Sequence, residues 1–315
     1  MQYFNWLSGG LLLLLTLPAP RAQDSSYATQ WVALDVRDRR GQFVEDVRPD
    51  QVVVEDLPAS VESMELDNAP RLILLLLDAS GTMGDRKTAS WSNAKQFVVQ
   101  FAHQRKGEDS IGLEAFAEKH ELLSPFTQDF QSLVNRIETY AGSGKGRKML
   151  GVTLDEILSR QENRLRFGDV IVLVSSGERS DADKSDFRRI RNGLIREGIR
   201  ICLVRIPSVL EKGMLKEVTD VSDFVRATGG IELNMTSPTQ NIQFGNGVRL
   251  SPDQIEFTAK NAYAFSRAYY RLGLKVLKPS TESRKLRLEI VGQQKEKLKG
   301  LQLSYPQYFV TSPAA

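Results

Sequence analysis

Three unbroken apolar runs, Leu72 to Leu77, Val170 to Val174 and Ile201 to Val204, stand out along the chain because none offers a polar face. A strand has this pattern when both faces are covered, as in a parallel sheet flanked by helices. Between the runs the period changes. Ala94, Phe97, Val98 and Phe101 share one helical face, as do Phe130, Leu133, Val134 and Ile137, and again Leu150, Leu154, Ile157 and Leu158. This alternation over residues 69–240 predicts an α/β domain with a doubly wound, mainly parallel sheet.

The flanks follow a different pattern. Trp31 to Asp38 alternates in part, and Gln51 to Glu55 carries three consecutive valines, with Arg40-Gly41 and Pro49-Asp50 as turn chemistry. Residues 23–68 are therefore expected to form a small β segment. Ser251-Pro252-Asp253-Gln254 combines a capping Ser, a Pro in the first turn and a Gln three residues after the cap. It predicts a connecting helix over 251–273, ending at Gly273, with Phe257, Tyr263, Phe265, Tyr269 and Tyr270 used in packing. Beyond it, Leu286, Leu288 and Ile290 alternate with charged residues, and Leu301 and Leu303 suggest a partner strand. Lys295 to Lys299 is expected to be a solvated hairpin. Two short β segments are each marginal alone, so 23–68 and 274–311 are expected to pair into one accessory unit beside the α/β domain.

The stretch from Leu7 through Leu17, followed by Pro18, Ala19, Pro20, Arg21 and Ala22, is expected to be an export signal over residues 1–22, cleaved after Ala22. No basic residue precedes it. An uncleaved anchor is the other reading, but the run is shorter than the roughly 20 residues of a spanning helix. The mature chain is thus expected to be exported, periplasmic or secreted, with no stable membrane span.

Composition narrows the chemistry. Forty-two basic residues against 39 acidic ones leave a formal charge of +3, too little to favour nucleic acid. Cys202 is the one cysteine and lies in an apolar run, which fits a buried structural thiol. His103 and His120 are the only histidines, and both are expected at the surface. Neither zinc ligation nor a serine triad can be assembled from this set. The Gly-rich segment Gly142 to Gly146 lacks the spacing of a phosphate loop.

One constellation remains, in Leu77-Asp78-Ala79-Ser80-Gly81-Thr82-Met83. Asp78 closes a buried strand, and hydroxyls follow two and four residues later, so three oxygen ligands share a loop at the end of an open sheet, where ligands bind. Such a set suits a hard cation like Mg²⁺.

Here the sequence resembles the von Willebrand factor type A family, whose metal-ion-dependent adhesion site begins Asp-x-Ser-x-Ser; Thr82 takes the last place. The flanking pieces, among them Asp35-Val36-Arg37-Asp38, Val53-Val54-Glu55-Asp56 and Tyr269-Tyr270-Arg271-Leu272-Gly273, are similar to the VWFA-related acidobacterial domain family of exported proteins. The resemblance implies a doubly wound fold and a non-enzymatic, adhesion-type protein-binding role, with a structural envelope subunit or a metal-dependent enzyme as alternatives.

It also exposes two departures. Arg147 stands where the family supplies a Thr, and Ser176, in Ser175-Ser176-Gly177, stands where it supplies a second Asp. Thr153, the nearest substitute hydroxyl, is expected inside the following helix. Metal binding at Asp78, Ser80 and Thr82 is therefore expected to be weak or vestigial, and no cofactor is expected. Arg147, or its neighbour Lys148, is expected to bring its cation to Asp78 in the metal's place; the alternative is that Arg147 points into solvent. A partner's acidic side chain would then dock on a surface made by Asp78, Ser80, Thr82, Arg147, Lys148 and Ser176.

Overall fold

The computed structural model describes residues 27–83, 88–142, 146–162, 164–207, 218–235, 249–277, 283–292, 294, 296 and 298–310. The expected leader at 1–22 lies outside these residues, as does part of the expected hairpin at 295–299. Strands β1 (Tyr27–Arg37), β2 (Val52–Glu55) and β3 (Ala59–Asp67) come first. Next are β4 (Leu72–Asp78), α1 (Ala89–His103), β5 (Ser110–Phe116), β6 (His120–Thr127), α2 (Phe130–Thr139) and α3 (Leu150–Ser159). Then follow β7 (Val170–Ser175), β8 (Glu178–Ser180), α4 (Phe187–Glu197), β9 (Arg200–Arg205), β10 (Val218–Asp220), α5 (Ser222–Ala227) and β11 (Ile231–Asn234). The last are α6 (Pro252–Arg267), β12 (Tyr269–Leu277), β13 (Arg284–Lys285), β14 (Arg287–Ile290), β15 (Gln302–Ser304) and β16 (Tyr308–Phe309).

The three apolar runs form β4, β7 and β9 at the centre of a six-stranded sheet ordered β11-β9-β7-β4-β5-β6, parallel throughout except for β6. Because side chains alternate across a strand, β4 feeds two cores. Ile73, Leu75 and Leu77 pack with Phe97 and Phe101 of α1 and Phe265 of α6, while Leu74 and Leu76 pack with Leu154 of α3, Leu194 of α4 and Val225 of α5. Each fully buried large apolar side chain contributes about 1.5–3 kcal/mol. Cys202 lies in the first of these cores, and burial pushes its thiol pKa up to about 12, which leaves it inert.

The expected helix over 251–273 needs correction. It ends at Arg267, and Tyr269 begins β12, which is paired on one side with β1 and on the other with β3. Two neighbouring ladders outweigh the helical pattern that runs on past Arg267. The helix is also no connector: Ile255, Ala259, Ala262, Tyr263 and Phe265 belong to the main core. Leu303 differs as well, since β15 pairs with β1 while β14 pairs with β2.

The accessory unit is a four-stranded sheet, β15-β1-β12-β3, with the β2–β14 pair packed over it around Val32, Leu34, Leu272, Leu274 and Leu288. Its junction with the α/β domain is polar and aromatic. The Arg200 guanidinium lies 4.6 Å from the ring centroids of both Phe265 and Tyr269, and the Tyr269 hydroxyl donates to Asp67 at 2.7 Å. Burial lowers the Arg200 pKa to about 10; the ring faces offset part of that cost. Gly168 fits under this junction. Its φ is +88°, and a Cβ there would lie 2.0 Å from the Tyr269 hydroxyl. Gly168→Ala is expected to cost more than about 1 kcal/mol, read as a lower urea midpoint; an unchanged midpoint would contradict the contact.

Candidate functional site

Strand order reverses around β4: the chain leaves it for β5 on one side and later enters β7 on the other. In open α/β sheets a crevice forms at such a switch, outside the carboxyl ends of the strands. Asp78 ends β4 there, and Ser175 ends β7. The loop before α3 folds over them, held by Gly81 N–H to the Gly146 carbonyl at 3.2 Å and Met149 N–H to the Ala117 carbonyl at 3.1 Å. These ties leave Lys148 aimed inward and Arg147 exposed.

The Lys148 ammonium lies 2.7 Å from Asp78 Oδ2, 2.7 Å from Ser176 Oγ and 3.2 Å from Ser175 Oγ. Asp78 Oδ2 also accepts from Ser175 Oγ at 2.8 Å, while Oδ1 accepts from the Ser80 backbone N–H at 3.0 Å and Ser80 Oγ at 2.6 Å. Thr82 Oγ1 closes the ring, 2.9 Å from Ser80 Oγ and 3.3 Å from Ser176 Oγ. A carboxylate offers about four acceptor positions and an ammonium three donors, so both ions are fully engaged by the protein. Asp78 is 0% exposed and Lys148 3%.

Neighbouring groups hold this arrangement in place. A cation just before a helix N-terminus is disfavoured by the helix dipole. Here Asp78 lies against it, and Asp183 Oδ2 accepts from the Gly151 N–H at 2.6 Å, serving the first turn of α3. Below Ser176, Arg205 donates to its carbonyl at 2.9 Å and is gripped by Glu232 at 2.7 Å and Asp220 at 3.0 Å. Gly177, at φ +84°, leaves room for that guanidinium; a Cβ would come within 2.3 Å of it.

These residues do not fit a divalent metal. Mg²⁺ needs free oxygen lone pairs, whereas those of Asp78 are taken and the added ammonium repels a cation by ~4 kcal/mol per unit charge at ~4 Å and an effective dielectric of about 20. Glu178 lies 3.8 Å from Lys148, beyond hydrogen-bond reach. Among the described residues no group of three or more His, Cys, Asp or Glu side chains is placed to hold a metal ion.

The structure brings Asp78, Ser80, Thr82, Lys148 and Ser176 together and leaves Arg147 outside, its backbone N–H 3.3 Å from Glu118 Oε1. The expectation that Asp78 and the cation face an opening is corrected: only Thr82, in part, and Arg147 reach solvent, because the lysine seals what lies beneath. Ser175 is a member that sequence reasoning missed, although it adjoins Ser176. Thr153 is in α3, as expected, bonded to the Met149 carbonyl at 3.0 Å.

The surface assignment of His120 is also corrected. It begins β6 beside the same loop, with Nε2 2.6 Å from Glu114 and Nδ1 2.9 Å from Glu156. Arg160 pairs with both Glu114 oxygens. Burial opposes the His120 charge, but the bond and charge of Glu114 outweigh it and raise the pKa. Burial likewise opposes the Glu114 charge, and His120 and Arg160 override it and lower that pKa.

Residues 73–178 match the family model of the von Willebrand factor type A domain. No curated protein matches the chain. Among solved structures, a von Willebrand factor type A protein from Catenulispora acidiphila is 9% identical, covering 92% of this chain and 75% of its own, with a TM-score of 0.46. BatB from Bacteroides thetaiotaomicron is 14% identical over 61% of this chain and 96% of its own, with a TM-score of 0.42. Proximal thread matrix protein 1 from mussel byssus is 11% identical over 67% of this chain and 50% of its own, with a TM-score of 0.47.

Two outcomes follow from the geometry. Lys148→Met, which strands a buried carboxylate, is expected to lower unfolding free energy by about 3–5 kcal/mol, and adding Asp78→Asn to recover much of it; a double variant no more stable than the single would show the two are uncoupled. His120 carries a raised pKa, so its stabilisation is complete below its unfolded value of about 6.5 and is lost as pH rises through the folded value. Glu114 has the opposite sign, its share vanishing as pH falls through its lowered pKa. Urea midpoints measured across pH should decline on the alkaline side in the wild type, and His120→Gln should abolish that decline.

Proposed function

We propose that this chain is an exported, non-enzymatic, adhesion-type protein-binding module in which a lysine ammonium occupies the role of the metal ion. One observation carries the reading: the carboxylate that opens the family's metal motif is paired, in a dry site, with Lys148 at 2.7 Å. The degenerate metal site is thus a structural clamp across three loops. Export is supported by the apolar leader and by the likeness of the flanking motifs to the VWFA-related acidobacterial domain family. Among the described residues no helix is long and apolar enough to cross a membrane.

Chemistry argues against catalysis here. Lys148 and its two serines suggest a Ser–Lys pair, but an ammonium donating to Asp78, Ser175 and Ser176 has no lone pair with which to accept a proton. His120 is held between two carboxylates. The binding surface is therefore the rim above the clamp, where Arg147 is exposed and Thr82 partly so. Arg147, with its planar donor fork, is the group suited to a partner's carboxylate.

Titration calorimetry tests the clamp. The wild-type protein should take up neither Mg²⁺ nor Mn²⁺ at micromolar concentration, and Lys148→Thr with Ser176→Asp should acquire affinity for one of them. Micromolar binding by the wild type would refute the reading. Pull-down from envelope extracts tests the rim: Arg147→Glu should release partners that the wild type retains, and identical retention would refute the assignment of the surface.

A further inference from the structure

A second feature lies away from the clamp, where the two sheets meet. Strand β11 is the outer strand of the six-stranded sheet and β15 the outer strand of the four-stranded one. They touch where Ser304 Oγ donates to the Gly230 carbonyl at 3.2 Å, and an isolated bridge joins Thr228 to Pro306. Alongside these contacts lies a cleft of about 580 Å³ lined by both edges. Among the described residues β11 is paired on one side only, with β9.

An unpaired edge is a template for another strand, and folded proteins blunt such edges with Pro, Lys or a bulge. The sequence of β11, Ile231-Glu232-Leu233-Asn234, contains no proline or lysine, and its pairing with β9 is regular. The one acid in it is engaged, with Glu232 bound to Arg205 at 2.7 Å and to Ser222 at 2.6 Å. The walls differ in character on the two faces of the sheet. On the α6 side is Phe257, 68% exposed, a large apolar group open to water. On the α5 side is Arg226, whose partner Asp223 is itself exposed, so that pair exchanges readily with other anions. Arg40, from the turn after β1, adds an exposed guanidinium with no side-chain partner among the described residues.

We propose that this cleft binds an extended segment of a partner protein, which adds as a strand to the β11 edge and alternates acidic with apolar residues. Backbone ladder bonds to Ile231–Asn234 supply affinity. The period of two sends alternate side chains to opposite faces, apolar ones onto Phe257 and carboxylates onto Arg226 and Arg40. Charge complementarity selects this occupant. Residues 236–248 of the chain contain no Asp or Glu, and a second copy would bring its own guanidiniums against these. This binding is independent of the Lys148 clamp.

The test uses the full chain and a fluorescein-labelled, end-blocked peptide of alternating Glu and Val, with a Lys and Val peptide as control. Saturable anisotropy binding of the Glu peptide is expected, together with slowed amide exchange at Ile231–Asn234. Arg40→Glu with Arg226→Glu, both at exposed positions, should weaken it about tenfold or more, as should Phe257→Ser through the other face. Absence of saturable binding, equal binding of the Lys peptide, or binding without added protection of β11 would each overturn the proposal.

Discussion

A buried carboxylate must have its charge answered, and in this fold the answer comes from the chain itself. Asp78 is fixed at the end of the central strand by the two cores on either side of it, so its position is set by packing rather than by any ligand. Lys148 reaches it because the loop before α3 is tied to Gly81 and Ala117, and because Asp183 and Arg205 position the surrounding turns. An ion pair of this kind contributes little net stability compared with apolar packing, but breaking it is costly. Its effect is to specify one arrangement of three loops. A single carbon chain anchored at Lys148 ties these loops together, and it cannot dissociate.

Much of this architecture was legible in the sequence. The three apolar runs announced β4, β7 and β9 because strands covered on both faces need no polar positions. Strands β3 and β5 left no such mark. Ala59–Asp67 mixes Ser60, Glu62, Ser63 and Glu65 among its apolar residues, and Ser110–Phe116 includes Gly112 and Glu114. The helical pattern over 251–273 overruns the helix because its aromatic residues continue past Arg267, and only pairing with β1 and β3 decides that Tyr269 is a strand residue. That pairing is non-local and invisible to a short window.

The site was legible as a location but not as a geometry. Asp78, Ser80 and Thr82 identified the loop by spacing alone. Whether Arg147 or Lys148 turned inward depended on one residue of register in a Gly-rich turn, which backbone contacts to distant strands settle. Ser175 carried no signal beyond standing next to Ser176. His120 gave none at all, since the carboxylates that hold it come from β5 and α3, 6 and 36 residues away in the chain.

The accessory sheet has a consequence for how the chain assembles. Tyr27 faces Leu277, and Leu34 faces Tyr270, across a ladder joining two strands that the whole α/β domain separates in the chain. During synthesis, β1 emerges first and waits for its neighbours while the whole α/β domain is delivered. The sheet therefore works as a latch that fastens last: a chain stopped short of β12 leaves the apolar face of β1 bare, marking the incomplete molecule for aggregation or proteolysis.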